Sequence, residues 1–181
     1  MPQPTAWERE ILKLDNTKKL TLSADLAHIK DLRVGDVVLI SGTLYTARDQ
    51  AHRRIAAAID SGDELPFPLD GAAIYYCGPT PATNGQIIGS CGPTTSARMD
   101  GYTPKLLDNG LKVMIGKGAR SDSVTQAIRD HGAVYLSAIG GAAALYQSTV
   151  RSCKLIAYPA LGCEAIYQLT VQDFPAVVTI V

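Results

Sequence analysis

The chain has 181 residues, 46% of them hydrophobic and 19% charged, and its 17 basic and 17 acidic residues give a formal net charge of zero. That length fits one domain with a sizeable core, and the balanced charge argues against nucleic acid as the main partner. No apolar stretch of about 18 residues is present to span a membrane, and the opening M-P-Q-P-T-A-W-E-R-E lacks the charged-then-apolar layout of a secretion signal, so a cytoplasmic location is expected.

In chain order, E-I-L-K-L at 10–14 alternates as a strand does, and a small helix is expected over 23–30. G-D-V-V-L-I-S-G-T-L-Y-T at 35–46 is long and β-branched, and reads as a strand. The clearest helix is D-Q-A-H-R-R-I-A-A-A-I-D at 49–60, where Ala51, Ile55 and Ile59 form one stripe. Asp49 suits its first turn and Gly62 its end. Arg48 and His52 stand one turn apart at the start of this helix, on one face. An arginine can grip a carboxylate through two parallel hydrogen bonds, and a histidine beside it can position it or move a proton. The same residues also fit a solvated helix end. His28 is plainer, and His131 sits at a helix C-terminus, where a cation suits the dipole.

The polar, Pro-rich run S-G-D-E-L-P-F-P-L-D-G at 61–71 is read as a crossover within a single domain over 1–181. A-A-I-Y-Y-C at 72–77 is the next strand. Then comes G-P-T-T-S-A-R at 92–98. Gly92 and Pro93 force a turn, Thr94, Thr95 and Ser96 supply hydroxyls, and Arg98 is expected about one turn into a helix through M-D-G-Y-T-P-K-L-L. Hydroxyls and free N–H groups at a helix start suit an anion; a Ser-capped helix after a Pro turn is the plainer reading. A threonine hydroxyl has little basicity alone and needs neighbours to move a proton.

L-K-V-M-I at 111–115 reads as a strand ending in G-K-G-A-R-S, where glycines flanking Lys117 let the backbone approach a ligand. The Walker spacing is absent, which excludes a P-loop, and S-A-I-G-G-A-A-A-L is not a dinucleotide fingerprint. A Ser-capped helix at 121–132, a strand at 133–138, a short helix at 140–147 and strands at 154–158, 165–171 and 176–181 complete the chain. Cys77, Cys91, Cys153 and Cys163 form no C-x-x-C pair. They read as small hydrophobes, and no metal ligand is assigned.

The order of elements implies an α/β domain with a partly parallel sheet, helices and a second β layer. Ligands of open α/β sheets sit beyond the carboxyl ends of the strands. Should the three strand-to-helix junctions converge there, Arg48, Arg98 and Lys117 put three positive charges in one cleft, which suits a small dicarboxylate.

The runs S-G-T-L-Y-T-A-R-D-Q-A-H-R-R, G-P-T-T-S-A-R-M-D, G-K-G and C-E-A-I-Y-Q-L-T-V-Q-D-F-P-A, in that order, resemble the β subunit, or C-terminal domain, of class I fumarate hydratases and L-tartrate dehydratases. The resemblance runs from about Ile11 onward. It implies a swivelling β/β/α domain and reversible addition of water to fumarate, giving malate, or dehydration of tartrate to oxaloacetate. It also implies a [4Fe–4S] cluster held by cysteines of an α subunit, with none bound by this chain, whose cysteines do not match the cluster ligands. By matching motif, Arg48 and Arg98 bind substrate carboxylates, Lys117 adds a cationic contact with a catalytic role, and Thr95 lies beside the substrate. Thr94 and His52 are both candidates for the base, and the choice between them stays open. Many members of the family continue beyond the point where this chain ends, at A-V-V-T-I-V. The expected partners are the α subunit, the dicarboxylate and a second copy of the chain, with no nucleic acid and no membrane. The alternative is a dicarboxylate-binding or regulatory module without activity of its own.

Overall fold

The structure is a computed structural model, and it describes residues 17–22, 26–83 and 85–181. The strand expected at 10–14 and the first residues of the helix expected at 23–30 lie outside them. The rest of that helix is a short 3-10 helix, Leu26–Asp31.

Among the described residues, seven strands form one mixed sheet. They are β1 (Thr17–Thr21), β2 (Val37–Thr46), β3 (Ala73–Tyr75), β4 (Val113–Gly116), β5 (Val134–Ser137), β6 (Val150–Ala157) and β7 (Ile166–Ile180). β1 runs parallel to the first half of β2, and β3 runs parallel to its end. β3, β4 and β5 continue in parallel. β7 is antiparallel to β5, to β6 and to β2. Because β7 bonds both β5 and β2, the sheet returns on itself through β2, β3, β4, β5 and β7, with β1 and β6 outside the ring.

The alternation of side chains sorts the core into two layers. Tyr75, Ile115 and Leu136 stand side by side and point into the ring, where Val38, Ile40, Leu44 and Phe174 join them. Ile74, Met114 and Tyr135 form the neighbouring row on the other face. There they pack with residues of three helices: α1 (Asp49–Ser61) through Ile55, α2 (Thr103–Asp108) through Leu106, and α3 (Asp122–Asp130) through Ile128. The result is the expected α/β domain: two β layers, folded from one mixed sheet, with helices on one side. A fourth helix, α4 (Ala143–Thr149), leads into β6.

Two expectations change in shape. The strands expected at 165–171 and 176–181 are one strand, β7. The Q-D-F-P run between them reads as a break, but it bends the strand instead. Asp173 takes a left-handed φ of 53° and its N–H donates to Ser41 Oγ at 3.1 Å, while Pro175 lies opposite Leu39 beside an irregularity in β2. The helix expected from Met99 is also divided. Ser96–Met99 is a single 3-10 turn, and α2 starts only at Thr103, with a proline in its first turn.

Gly116 ends β4, and no side chain fits there. A Cβ would stand 2.1 Å from Ser96 Oγ and 2.8 Å from Tyr76 Cδ2. Gly116→Ala is therefore expected to destabilise the domain by about 1–3 kcal/mol and to push the 94–98 run away from β4. Denaturant unfolding checks this, and an unchanged midpoint would contradict the packing.

Candidate functional site

β2, β3 and β4 are parallel, so Thr46, Tyr75 and Gly116 end on one edge of the sheet. The three junctions do converge there. Arg48 immediately precedes α1 and has no side-chain capping bond. The 92–98 run crosses back over the edge. Cys77 pairs with Pro93, and the Thr94 N–H donates to the Tyr76 carbonyl at 2.6 Å. Thr95 then pairs with Lys117: the Lys117 N–H donates to the Thr94 carbonyl at 3.2 Å, and the Ser96 N–H to the Lys117 carbonyl at 2.8 Å. These bonds use the N–H groups of Thr94, Ser96 and Lys117. The 3-10 turn is also too short to act as a helix terminus.

Asp49 joins the first junction to the second. Its Oδ1 accepts from Arg98 Nε at 2.8 Å, and its Oδ2 lies 3.8 Å from Arg48 Nη2. Glu164, from the turn between β6 and β7, lies 3.6 Å from the same nitrogen and accepts from the Gln50 N–H at 3.0 Å. Neither ion pair of Arg48 is a close hydrogen bond, and its Nε is buried with no hydrogen-bond partner among the described residues. Arg98 is half exposed, and its Nε is committed to Asp49. Among the described residues, no hydrogen bond engages the terminal nitrogens of Arg98, the Lys117 ammonium or the Thr94 and Thr95 hydroxyls. Gly78 leaves room for the Arg48 stem, since a Cβ there would stand 2.9 Å from Arg48 Cδ.

His52 lies beneath this face and is wholly buried. Its Nδ1 is 2.9 Å from the Arg48 carbonyl, so the proton resides on Nδ1 and Nε2 is left as a lone pair. Tyr76 meets the ring edge-on at 5.2 Å between centroids, and Tyr102 lies at 6.2 Å. Nε2 has no partner among the described residues. Burial and the charge of Arg120 lower its pKa from 6.5 to about 4, against the opposing pull of the Arg48 carbonyl and Asp49. The imidazole is thus neutral at pH 7. The unfolded chain takes up a proton below pH 6.5 while the folded one does not, so stability falls with pH from about 6.5 to about 4. The loss attributable to His52 is about 3 kcal/mol. His52→Gln keeps a donor for the Arg48 carbonyl and removes the titration, so its denaturation free energy should decline less over that window. Parallel curves for the two proteins would contradict this.

Four polar residues of the site escaped the sequence reading as functional. Glu164 meets α1 from far along the chain, with no local signal. Asp49 was visible only as a helix-start acid. Asp100 and Arg120 form an ion pair at 2.6 Å, with the Arg120 side chain wholly buried. Of the cysteines, Cys77 and Cys91 are buried as expected, whereas Cys163 is exposed and Cys153 only partly covered. The Cys77 thiol is pushed well up by its hydrogen bond with Cys91 and by burial, which keeps it unreactive.

The family model described as "Fumarase C-terminus" matches residues 1–181. The chain belongs to the fumarase C-terminus family. It is 40% identical over 177 residues to the anaerobic class I fumarate hydratase of Escherichia coli, an alignment covering 97% of this chain and 32% of that protein. It is 41% identical over 149 residues to fumarate hydratase 2 of Leishmania major, covering 81% of this chain and 26% of the relative. With a putative L(+)-tartrate dehydratase subunit beta of Methanocaldococcus jannaschii it shares 36% identity over 151 residues, 81% of this chain and 77% of the subunit. The chain thus spans about a third of the fumarase relatives, and most of a separate β subunit. Among the described residues of this family member, no three His, Cys, Asp or Glu side chains are grouped to hold a metal ion, and no helix is long and apolar enough to cross a membrane.

Proposed function

We propose that this chain is the β part of a hydro-lyase acting on a small dicarboxylate, either hydrating fumarate to malate or dehydrating tartrate. The observation that carries this reading is the gathering of Arg48, Arg98 and Lys117 at one sheet edge with their hydrogen-bonding capacity underused. The two carboxylates among them, Asp49 and Glu164, orient the arginines without saturating them. A dianion placed there meets three cations and the hydroxyls of Thr94 and Thr95.

Removing a proton beside a carboxylate builds negative charge on that carboxylate. Fixed cations aimed at the developing charge stabilise it better than mobile water does. Arg48 and Arg98 grip the two carboxylates, Lys117 neutralises the charge that grows, and Thr94 moves the proton at the reacting carbon. His52, neutral and buried, holds Arg48 through its carbonyl. A [4Fe–4S] cluster, held by the cysteines of a partner α subunit, would supply the Lewis acid for such a reaction. The separate β subunit among the relatives and the greater length of the fumarases both support a partner or a fused equivalent.

The test is to mix this chain with an anaerobically prepared cluster-bearing α subunit and follow fumarate loss by absorbance. Activity is expected only in the mixture. No turnover of fumarate, malate or tartrate by the mixture would refute the reading. Calorimetric binding of dicarboxylate by the isolated chain, without such turnover, would point to a binding module instead.

A further inference from the structure

Arg120 is a charged side chain with no exposed surface, and the catalytic roles above leave it unused. A buried guanidinium persists only where its donors are matched. Here they are. Nε donates to Asp100 Oδ1 at 2.6 Å and Nη2 to Thr103 Oγ1 at 2.6 Å, while Nη1 faces the Tyr76 hydroxyl at 3.4 Å. The guanidinium carbon stands 5.5 Å from the Tyr76 ring centre and 5.2 Å from that of Tyr135, so two aromatic faces add to its stabilisation.

Arg120 follows Lys117 in the third junction, and its partner Asp100 follows Thr94 and Arg98 in the second. Asp100 closes the 3-10 turn after Arg98, and its second oxygen accepts from the Ser121 N–H at 2.8 Å. Tyr135 forms a second tie. Its hydroxyl donates to the Gly118 carbonyl at 2.8 Å and meets Ser96 Oγ at 2.9 Å. Ser96 and Gly118 each adjoin a residue of the Thr95–Lys117 pair. The two ties hold the 94–100 segment against the 117–121 loop.

We propose that Arg120, with Asp100 and Tyr135, is a positioning clamp that sets Thr94 and Lys117 relative to each other for proton transfer. This rests on the functional reading above. The clamp acts on the second and third junctions, whereas Arg48 belongs to the first and Arg98 is held to that junction by Asp49 at 2.8 Å. Loosening it therefore lowers turnover more than it weakens substrate binding, since small misplacements of reacting groups cost on the order of 10²-fold.

The test compares Arg120→Lys, which keeps the charge but loses the fork, and Tyr135→Phe, which loses only the hydroxyl. Both are measured in the assembled enzyme and by amide hydrogen exchange on the chain. The clamp predicts a kcat lower by about 10–10²-fold, a nearly unchanged KM, and faster exchange at Ser96 and Lys117 with protection of the β2 and β7 amides retained. Should Arg120→Lys fail to fold, Tyr135→Phe is read by the same criteria. Folded variants with wild-type exchange at Ser96 and Lys117, or with wild-type kcat, overturn the clamp. Arg48→Lys and Arg98→Lys serve as controls. Where they impair turnover and the clamp variants do not, the clamp alone falls; where the assembled enzyme turns over and none of them impairs it, the placement of the site at this edge falls and takes the clamp with it.

Discussion

Thr94→Val should lower the turnover of the assembled enzyme by about 10²–10⁴-fold, the usual worth of a positioned acid or base. Valine has nearly the shape of threonine, and both of the hydrogen bonds that hold Thr94 in place are backbone bonds, to Tyr76 and Lys117. The fold is thus expected to survive, and the missing hydroxyl is the whole difference. Thr95→Val is the matched control. Its side chain is exposed on the same crossing segment, and its loss should affect KM more than kcat. Anaerobic kinetics with fumarate and malate read both variants. Near-normal turnover in Thr94→Val, with a collapse in His52→Gln, would move the proton-transfer role to His52.

Arg98→Ala should reduce kcat/KM by about 10²–10³-fold, in line with removing one preorganised charge from a transition state. The stability effect should be small. The Arg98–Asp49 pair is 2.8 Å long, but Arg98 is 50% exposed, and such pairs contribute about 0–1 kcal/mol. This asymmetry makes the variant informative. A cation that matters little to folding and much to turnover is held for the ligand. Arg98→Lys keeps the charge without the two-pronged grip and should recover only part of the loss. Unchanged kcat/KM in the alanine variant would remove Arg98 from the site.

The parts of this domain written in local pattern were legible. The stripe of α1, the Ser121 cap of α3 and the β-branched runs of β2 and β4 each follow from residues close in sequence. The three junctions were legible too, because parallel strands deliver their carboxyl ends to one edge. What pattern could not show were the matches between distant segments. Glu164 reaches α1 across the sheet, and Arg120 finds Asp100 and Thr103 only after β4 and the 3-10 turn are packed. The Q-D-F-P run misled for a local reason: Asp and Pro usually end strands, and here they bend one at a bulge. The placement of His52 depended on tertiary structure as well, since helical spacing puts it beside Arg48 without saying that Tyr76 and Tyr102 close over it.

The route of β7 bears on how the domain comes into being. Val37, at the start of β2, pairs with Val177, and Tyr135 of β5 pairs with Ile180. Contacts between such distant points of the chain are slow to form, because loop closure costs entropy before any contact repays it. On a ribosome, β2 and β5 would wait with open edges until β7 emerges. Closure of the sheet then waits on β7, and a chain cut short before that strand would expose unpaired edges and be a substrate for chaperones or proteases.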